Sequence, residues 1–270
     1  MDIIDRGRYA NDAGEDVDFL ADQALAVANT LLYTPDDADR LLLPAENRSA
    51  SSDLRFEVTA ETTQAAARRL VQEEGCHDPV LLNYASARNP GGGFTNGAKA
   101  QEEDLCRCSG LYPCLLTQSQ YYQANRAQDS LFYTDHLIYS PRVPWFRTKS
   151  RELLDQVFLA SVITAPAPNA GQIFLHEQGG WADIETSLRH RAALVLAIAR
   201  EHNHRTLLLG AWGCGVFRNQ PETVARVFHD LLQHDQFAGC FDRVVFAVYD
   251  RSKDQGTFKA FRNEFLNVSC

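Results

Sequence analysis

The chain has 270 residues, 45% apolar, 10% aromatic and 23% charged, the composition of a soluble globular protein and not of a disordered one. Its 26 Lys and Arg against 35 Asp and Glu leave a net charge of −9, which excludes a broad basic surface that grips nucleic-acid backbones but not a local anion site made of backbone amides. No run approaches the roughly eighteen apolar residues of a membrane span, the N-terminus lacks a signal-peptide pattern, and seven scattered cysteines read as reduced thiols. A cytoplasmic protein is expected, without membrane or direct nucleic-acid partners and with a monomer as the default.

In chain order, Val17, Leu20, Ala24, Val27 and Leu31 have the spacing of an amphipathic helix over 16–33. A polar stretch over Thr34–Asp39 and a loop around Pro44–Asp53 follow. Phe56–Val58 reads as a short strand, about 60–74 as a helix, and Pro79–Tyr84 as a buried strand because its apolar run is bounded by turn formers. The middle is less clear, with helices around 101–107 and 113–127 and a strand near Leu137–Tyr139. Val157–Thr164 is a second buried strand, stopped by Pro166 and Pro168.

The last third alternates. Ile184, Leu188, Ala192, Val195 and Ala199 form a helical stripe with Asp183 as a candidate N-cap. Thr206–Gly210 is a strand, Val224, Val227, Phe228 and Leu231 mark a helix with Pro221 in its first turn, Arg243–Tyr249 is a strand, and Phe258, Phe261 and Phe265 lie on a closing helix. The predicted fold class is therefore α/β, a mainly parallel sheet covered by helices on both faces.

Seven of the sixteen glycines fall in two windows, Gly91–Gly97 and Gly210–Gly215, each just after a predicted strand. Beyond strand C-termini lies the usual ligand crevice of an α/β sheet, and free amides in such loops make an anion nest. Neither loop has the P-loop or the dinucleotide fingerprint. Eight residues after Gly93 comes Gln101-Glu102-Glu103. Paired, buried carboxyls raise each other's pKa, and one so tuned can hold and donate a proton at neutral pH. Read alone, Glu-Glu at a helix start is more often a solvated first turn.

Gly91-Gly-Gly93 followed at this interval by Gln101-Glu-Glu103 resembles the signature of the poly(ADP-ribose) glycohydrolases. Asn83-Tyr-Ala-Ser-Ala-Arg-Asn-Pro-Gly-Gly-Gly93 and Leu209-Gly-Ala-Trp-Gly-Cys-Gly-Val-Phe-Arg-Asn-Gln-Pro221 look like the bacterial-type branch of that family. The resemblance implies a macrodomain-like mixed sheet between helices over 56–270, preceded by a helical N-terminal extension over 1–55. It also implies hydrolysis of the ribose–ribose O-glycosidic bond of poly(ADP-ribose), or of ADP-ribosylated protein, with ADP-ribose as product, in a bacterial DNA-damage-response setting and with no metal or other cofactor. Glu103 would be the general acid and base, kept protonated by Glu102 and the ligand phosphates, and Glu102 would hold ribose hydroxyls. Gly91, Gly92 and Gly93 would pack against the diphosphate and distal ribose, with Gln101 and Asn89 as further contacts. Gly213, Cys214, Gly215, Val216 and Phe217 would form a second phosphate loop whose aromatic orients the distal ribose. Tyr249, placed by macrodomain geometry, is a candidate to stack on adenine.

Two other classes stay open: a non-catalytic ADP-ribose-binding macrodomain, which would not need the acid pair, and a hydrolase of another ADP-ribosyl linkage. Cys106, Cys108 and Cys114 lack the spacing of a zinc site and read as structural thiols. His202 and His204 read as helix-end residues.

Overall fold

Val80, Leu81 and Leu82 alternate between the two faces of one strand, yet all three are buried. Such a strand has to lie inside a sheet covered on both sides. The computed structural model describes residues 2–44, 54–77, 79–149, 152–176 and 179–266 and has that architecture. Its elements are α1 (Asp2–Arg6), β1 (Arg8–Ala10), β2 (Asp16–Asp18), α2 (Leu20–Ala28), β3 (Leu31–Tyr33), α3 (Ala38–Leu41), β4 (Arg55–Thr59), α4 (Thr63–Arg68), β5 (Pro79–Tyr84), α5 (Gln101–Cys108), α6 (Leu111–Leu116), α7 (Ser119–Ala127), β6 (Leu137–Lys149), β7 (Glu152–Ala165), α8 (Ala170–His176), α9 (Trp181–Glu201), β8 (Thr206–Leu209), α10 (Pro221–Gln233), β9 (Arg243–Ala247) and α11 (Gly256–Leu266).

Seven strands form one sheet in the order β3-β6-β7-β5-β8-β9-β4. From β7 to β4 they run parallel, while β6 and β3 add an antiparallel edge. Val80, Leu82, Val244 and Phe246 face α9, α10 and α11; Leu81, Val162, Leu208 and Val245 face α2 and α4–α7. Period-two alternation thus feeds two cores from the same strands. Helix α9 is buried on every side from Arg191 to Ala199, and with each large apolar side chain worth about 2 kcal/mol it anchors its face of the sheet.

The helix expected over 16–33 is shorter than its apolar stripe. Val17 and Leu31 lie in β2 and β3, and only 20–28 is helical, with Gln23 and Ala26 buried. Pairing decides: β2 finds β1, and β3 finds β6. The first 55 residues accordingly hold strands as well as helices, and β3 is an edge of the main sheet rather than part of a separate layer. The expected loop at 44–53 lies, beyond Pro44, outside the described residues.

Asp183 is not the N-cap of α9 but its third residue, and its Oδ2 accepts the N–H of Gly180 at 2.8 Å. The helix expected over 113–127 is two, α6 and α7. Strand β6 continues ten residues past Tyr139, across Pro141 and Pro144, because a bulge between Ser140 and Val143 with Arg142 at φ 46° absorbs the irregularity.

Candidate active site

Strands β5 and β8 are parallel neighbours, so the loops that follow them open at the same edge of the sheet. Their pairing reaches only Leu81, and past it the side-chain amide of Gln101 takes the place of a strand. Its Nε2 donates to the carbonyl of Leu82 and its Oε1 accepts the N–H of Tyr84, each at 2.9 Å, while Nε2 also reaches Thr63 Oγ1 at 3.2 Å. Expected among the substrate contacts, Gln101 lines the cavity with its amide already taken up by the fold. Its position docks the start of α5 onto the end of β5.

The two acids that follow are 3% and 7% exposed. Glu102 turns inward: Oε2 accepts the N–H of Ser86 at 2.7 Å and Oε1 accepts from Asn83 Nδ2 at 3.3 Å. Behind it Tyr121 and Tyr122 of α7 are fully buried, and burial together with the charge of Glu102 pushes their phenols up. Burial pushes the Glu102 carboxyl up to about 8, against the hydrogen bonds that favour its ionised form. The raised carboxyl is thus that of the acid expected to hold the ribose hydroxyls.

Glu103 closes the first loop on itself. Its Oε1 accepts the N–H of Gly93 at 2.8 Å and its Oε2 that of Ala100 at 3.0 Å. Within the loop, Asn89 accepts the N–H of Gly92 and Gly91 that of Phe94. Gly92 has φ +57°, and a Cβ on it would stand 2.4 Å from Glu103 Oε1 and 3.1 Å from Glu102 Oε2. Glycine is therefore required there by both backbone and space. The triple glycine lets the main chain lie directly on the acid pair.

The second loop leaves β8 through Trp212, whose indole N–H donates to the carbonyl of Ala165 at 3.1 Å. The buried Asn219 closes it by donating to the carbonyl of Pro168 at 3.0 Å. Burial pushes the Cys214 thiol up, away from the thiolate form that a nucleophile needs. Phe217 packs on Tyr133 with ring centroids 6.1 Å apart.

A cavity of about 740 Å³ lies between the loops. Of the residues expected at the site, Gln101, Glu102, Glu103, Gly213 to Phe217 and Tyr249 line it together. Asn89, Gly91, Gly92 and Gly93 are not among its described lining residues; Gly92 and Gly93 lie against the acid side chains. Tyr249 is half exposed at the mouth, with the Arg251 guanidinium 5.0 Å from its ring centroid and Arg251 Nε donating to its hydroxyl at 2.8 Å. The sequence reading missed Thr63, Tyr84, Ser86, Lys99 and the Asp250–Arg251 pair as lining residues. Tyr84 and Ser86 lie inside a motif that could have suggested them; the others carry no local signal. Cys106, Cys108 and Cys114 are buried free thiols, and no group of three or more His, Cys, Asp or Glu that could hold a metal occurs among the described residues.

The fold and this cavity define a macrodomain-like protein whose acid pair is seated on a glycine loop. A family model described as the microbial-type PARG catalytic domain matches residues 1–148. The chain is similar to the crystal structure of poly(ADP-ribose) glycohydrolase from Thermomonospora curvata at 45% identity and TM-score 0.92, covering 98% of this chain and 96% of that one. It is also similar, at TM-score 0.90 with the same identity and coverage, to that enzyme bound to the inhibitor ADP-HPD. The Deinococcus radiodurans glycohydrolase in complex with ADP-ribose matches at 45% identity and TM-score 0.85, covering 92% of this chain and 98% of that one. No curated protein matches. This chain belongs to the microbial-type poly(ADP-ribose) glycohydrolase family.

Proposed function

We propose that this protein hydrolyses the ribose–ribose O-glycosidic bond of poly(ADP-ribose) and releases ADP-ribose. The observation that carries the reading is the seating of Glu102 and Glu103 on the triple-glycine loop at the wall of a cavity of nucleotide size. A module that only binds would have no use for a second buried carboxyl, Glu103, beside an anionic ligand. Glu103 delivers a proton to the 2′-oxygen of the departing ribose as the C1–O bond breaks, and an oxocarbenium-like centre forms on the ribose that stays. Water adds to that carbon and returns its proton to Glu103, so one water is consumed per ADP-ribose released. Glu102, which burial keeps protonated up to about pH 8, donates to a ribose hydroxyl without adding a second negative charge next to the diphosphate.

Phe217 orients the distal ribose, the second loop takes the phosphates, and Tyr249 meets the adenine at the mouth. No helix among the described residues is long and apolar enough to cross a membrane. The six described cysteines are all free, which supports a reducing compartment such as the cytoplasm.

The test is purified protein against automodified poly(ADP-ribose), with Glu103→Gln alongside and ADP-ribose release followed by chromatography. Release by the wild type and a loss of about a hundredfold or more in the variant, with ADP-ribose binding kept within a few-fold, is expected. Near-wild-type release by Glu103→Gln removes that residue from the mechanism, and binding of ADP-ribose without release from either protein favours a pure reader or another ADP-ribosyl linkage.

A further inference from the structure

The wall that the second loop gives to the cavity continues outward onto α8. Gly171 donates its N–H to the carbonyl of Phe217 at 3.0 Å. The Arg218 side chain runs over the same glycine, its Cδ 3.0 Å from where a Cβ would be. Phe174 and Leu175 follow Gly171 by three and four residues, so they share its side of the helix, while Ala170 and Ile173 are buried on the other. Phe174 is 46% exposed and meets Trp181, 40% exposed, with ring centroids 4.8 Å apart. Val216, which lines the cavity, is 81% exposed. Arg218 is exposed and has no ion pair among the described residues.

A guanidinium about one helical turn from a partly exposed aromatic pair can hold a nucleotide, the cation on phosphate and a ring on the face of the base. It lies just past the loop whose Phe217 is assigned to the reacting ribose. When the terminal unit of a polymer fills the cavity, the next unit is tethered to that ribose carbon and has to emerge beside it. Tethering makes even a weak second contact effective.

We propose that Arg218, Phe174 and Trp181 form a subsite for the ADP-ribose unit on the leaving side of the scissile bond, with its phosphate on Arg218 and its adenine on the aromatic pair. The subsite rests on the glycohydrolase reading above. It gives the enzyme a preference for polymer over a single ADP-ribosyl group carried by a side chain.

The experiment compares wild type, Arg218→Gln, Phe174→Ala and the double variant on long poly(ADP-ribose) and on ADP-ribose bearing a small aryl leaving group on the reacting carbon. For the double variant the KM for polymer should rise about five- to twentyfold. Its kcat/KM on the aryl substrate and its Kd for ADP-ribose should stay within about twofold, and Arg218→Lys should recover part of the polymer KM. An unchanged polymer KM, or equal losses on both substrates, overturns the subsite. A double variant that changes only its sedimentation behaviour shows a contact between copies instead, and also overturns it. Wild type inactive on both substrates brings down the glycohydrolase reading itself, an outcome distinct from the others.

Discussion

The backbone N–H of Gly93 points at Oε1 of Glu103, 2.8 Å away and ten residues on in the chain. Loop and acid helix are thus one unit, and the loop cannot shift without moving the proton donor. Gly92→Ala should push Glu103 off this contact and place a side chain at positive φ, at about 1–2 kcal/mol for the backbone alone. Gly97→Ala is the control: its φ is +80°, but nothing lies within 4 Å of the added carbon. Both variants should lose stability, and only Gly92→Ala should lose most of its turnover. Equal kcat values in the two would show that the tight approach at Gly92 is unimportant.

The raised carboxyl of Glu102 gives a pH dependence with a definite sign. Its folded pKa of about 8 lies above the 4.5 of an unfolded glutamate. The stability it contributes is therefore complete below about pH 4.5 and is lost as pH rises through about 8. Wild-type melting temperature should fall across that window, and Glu102→Gln should flatten the fall. Asn83 Oδ1, buried without a partner, can accept from the introduced side-chain amide after a half-turn of the Asn83 amide. Wild-type turnover should decline on the alkaline side near pH 8 as Glu102 loses its proton. Parallel melting curves for wild type and variant between pH 5 and 9 would count against the buried-acid assignment.

Phe217→Ala should lower kcat more than it weakens ADP-ribose binding, because an aromatic that orients the distal ribose acts on the reacting geometry. Calorimetry and initial rates on the same preparation separate the two effects. If neither changes, the second loop has been assigned the wrong role.

Arg191 of α9 is 1% exposed and donates to Asp135 Oδ1 at 2.9 Å and to the carbonyls of Pro166 at 2.8 Å and Phe132 at 3.0 Å. It ties the strand end after β7 to the segment that carries Tyr133, on which Phe217 packs. A lysine keeps the charge, but its single nitrogen cannot take the separate positions from which Nε, Nη1 and Nη2 meet these partners. Arg191→Lys should cost about 3 kcal/mol, read by denaturant unfolding. A loss under about 0.5 kcal/mol would mean that the segment is held by other contacts.

What could be read from the sequence was what is local in the chain. Gly91–Gly93 and Gln101–Glu103 lie within one loop and helix start, and their spacing points to the site through the family signature it resembles. Pro79–Tyr84 and Arg243–Ala247 are apolar runs whose burial on both faces needs no partner information. The end of β6 was hidden because Pro141 and Pro144 look like breaks until the Arg142 bulge is seen. The role of Gln101 was hidden because the strand it completes ends early only in the folded sheet. Residues 31–33 fit a helical stripe just as well as a strand, and only β6 decides between them. Lys99, Asp250 and Arg251 meet the cavity through topology alone.

The parallel pairing of β5 with β8 joins two stretches of chain that no hairpin connects. One delivers the acids and the other the second loop, so a fragment ending before β6 would carry a proton donor with half a binding site, and the remainder a loop with nothing to react. A ligand lying across both loops fastens those distant stretches as a crosslink would. Occupancy of the site then registers in the opening of the whole sheet, and resistance of the intact chain to global unfolding becomes a reporter of substrate itself.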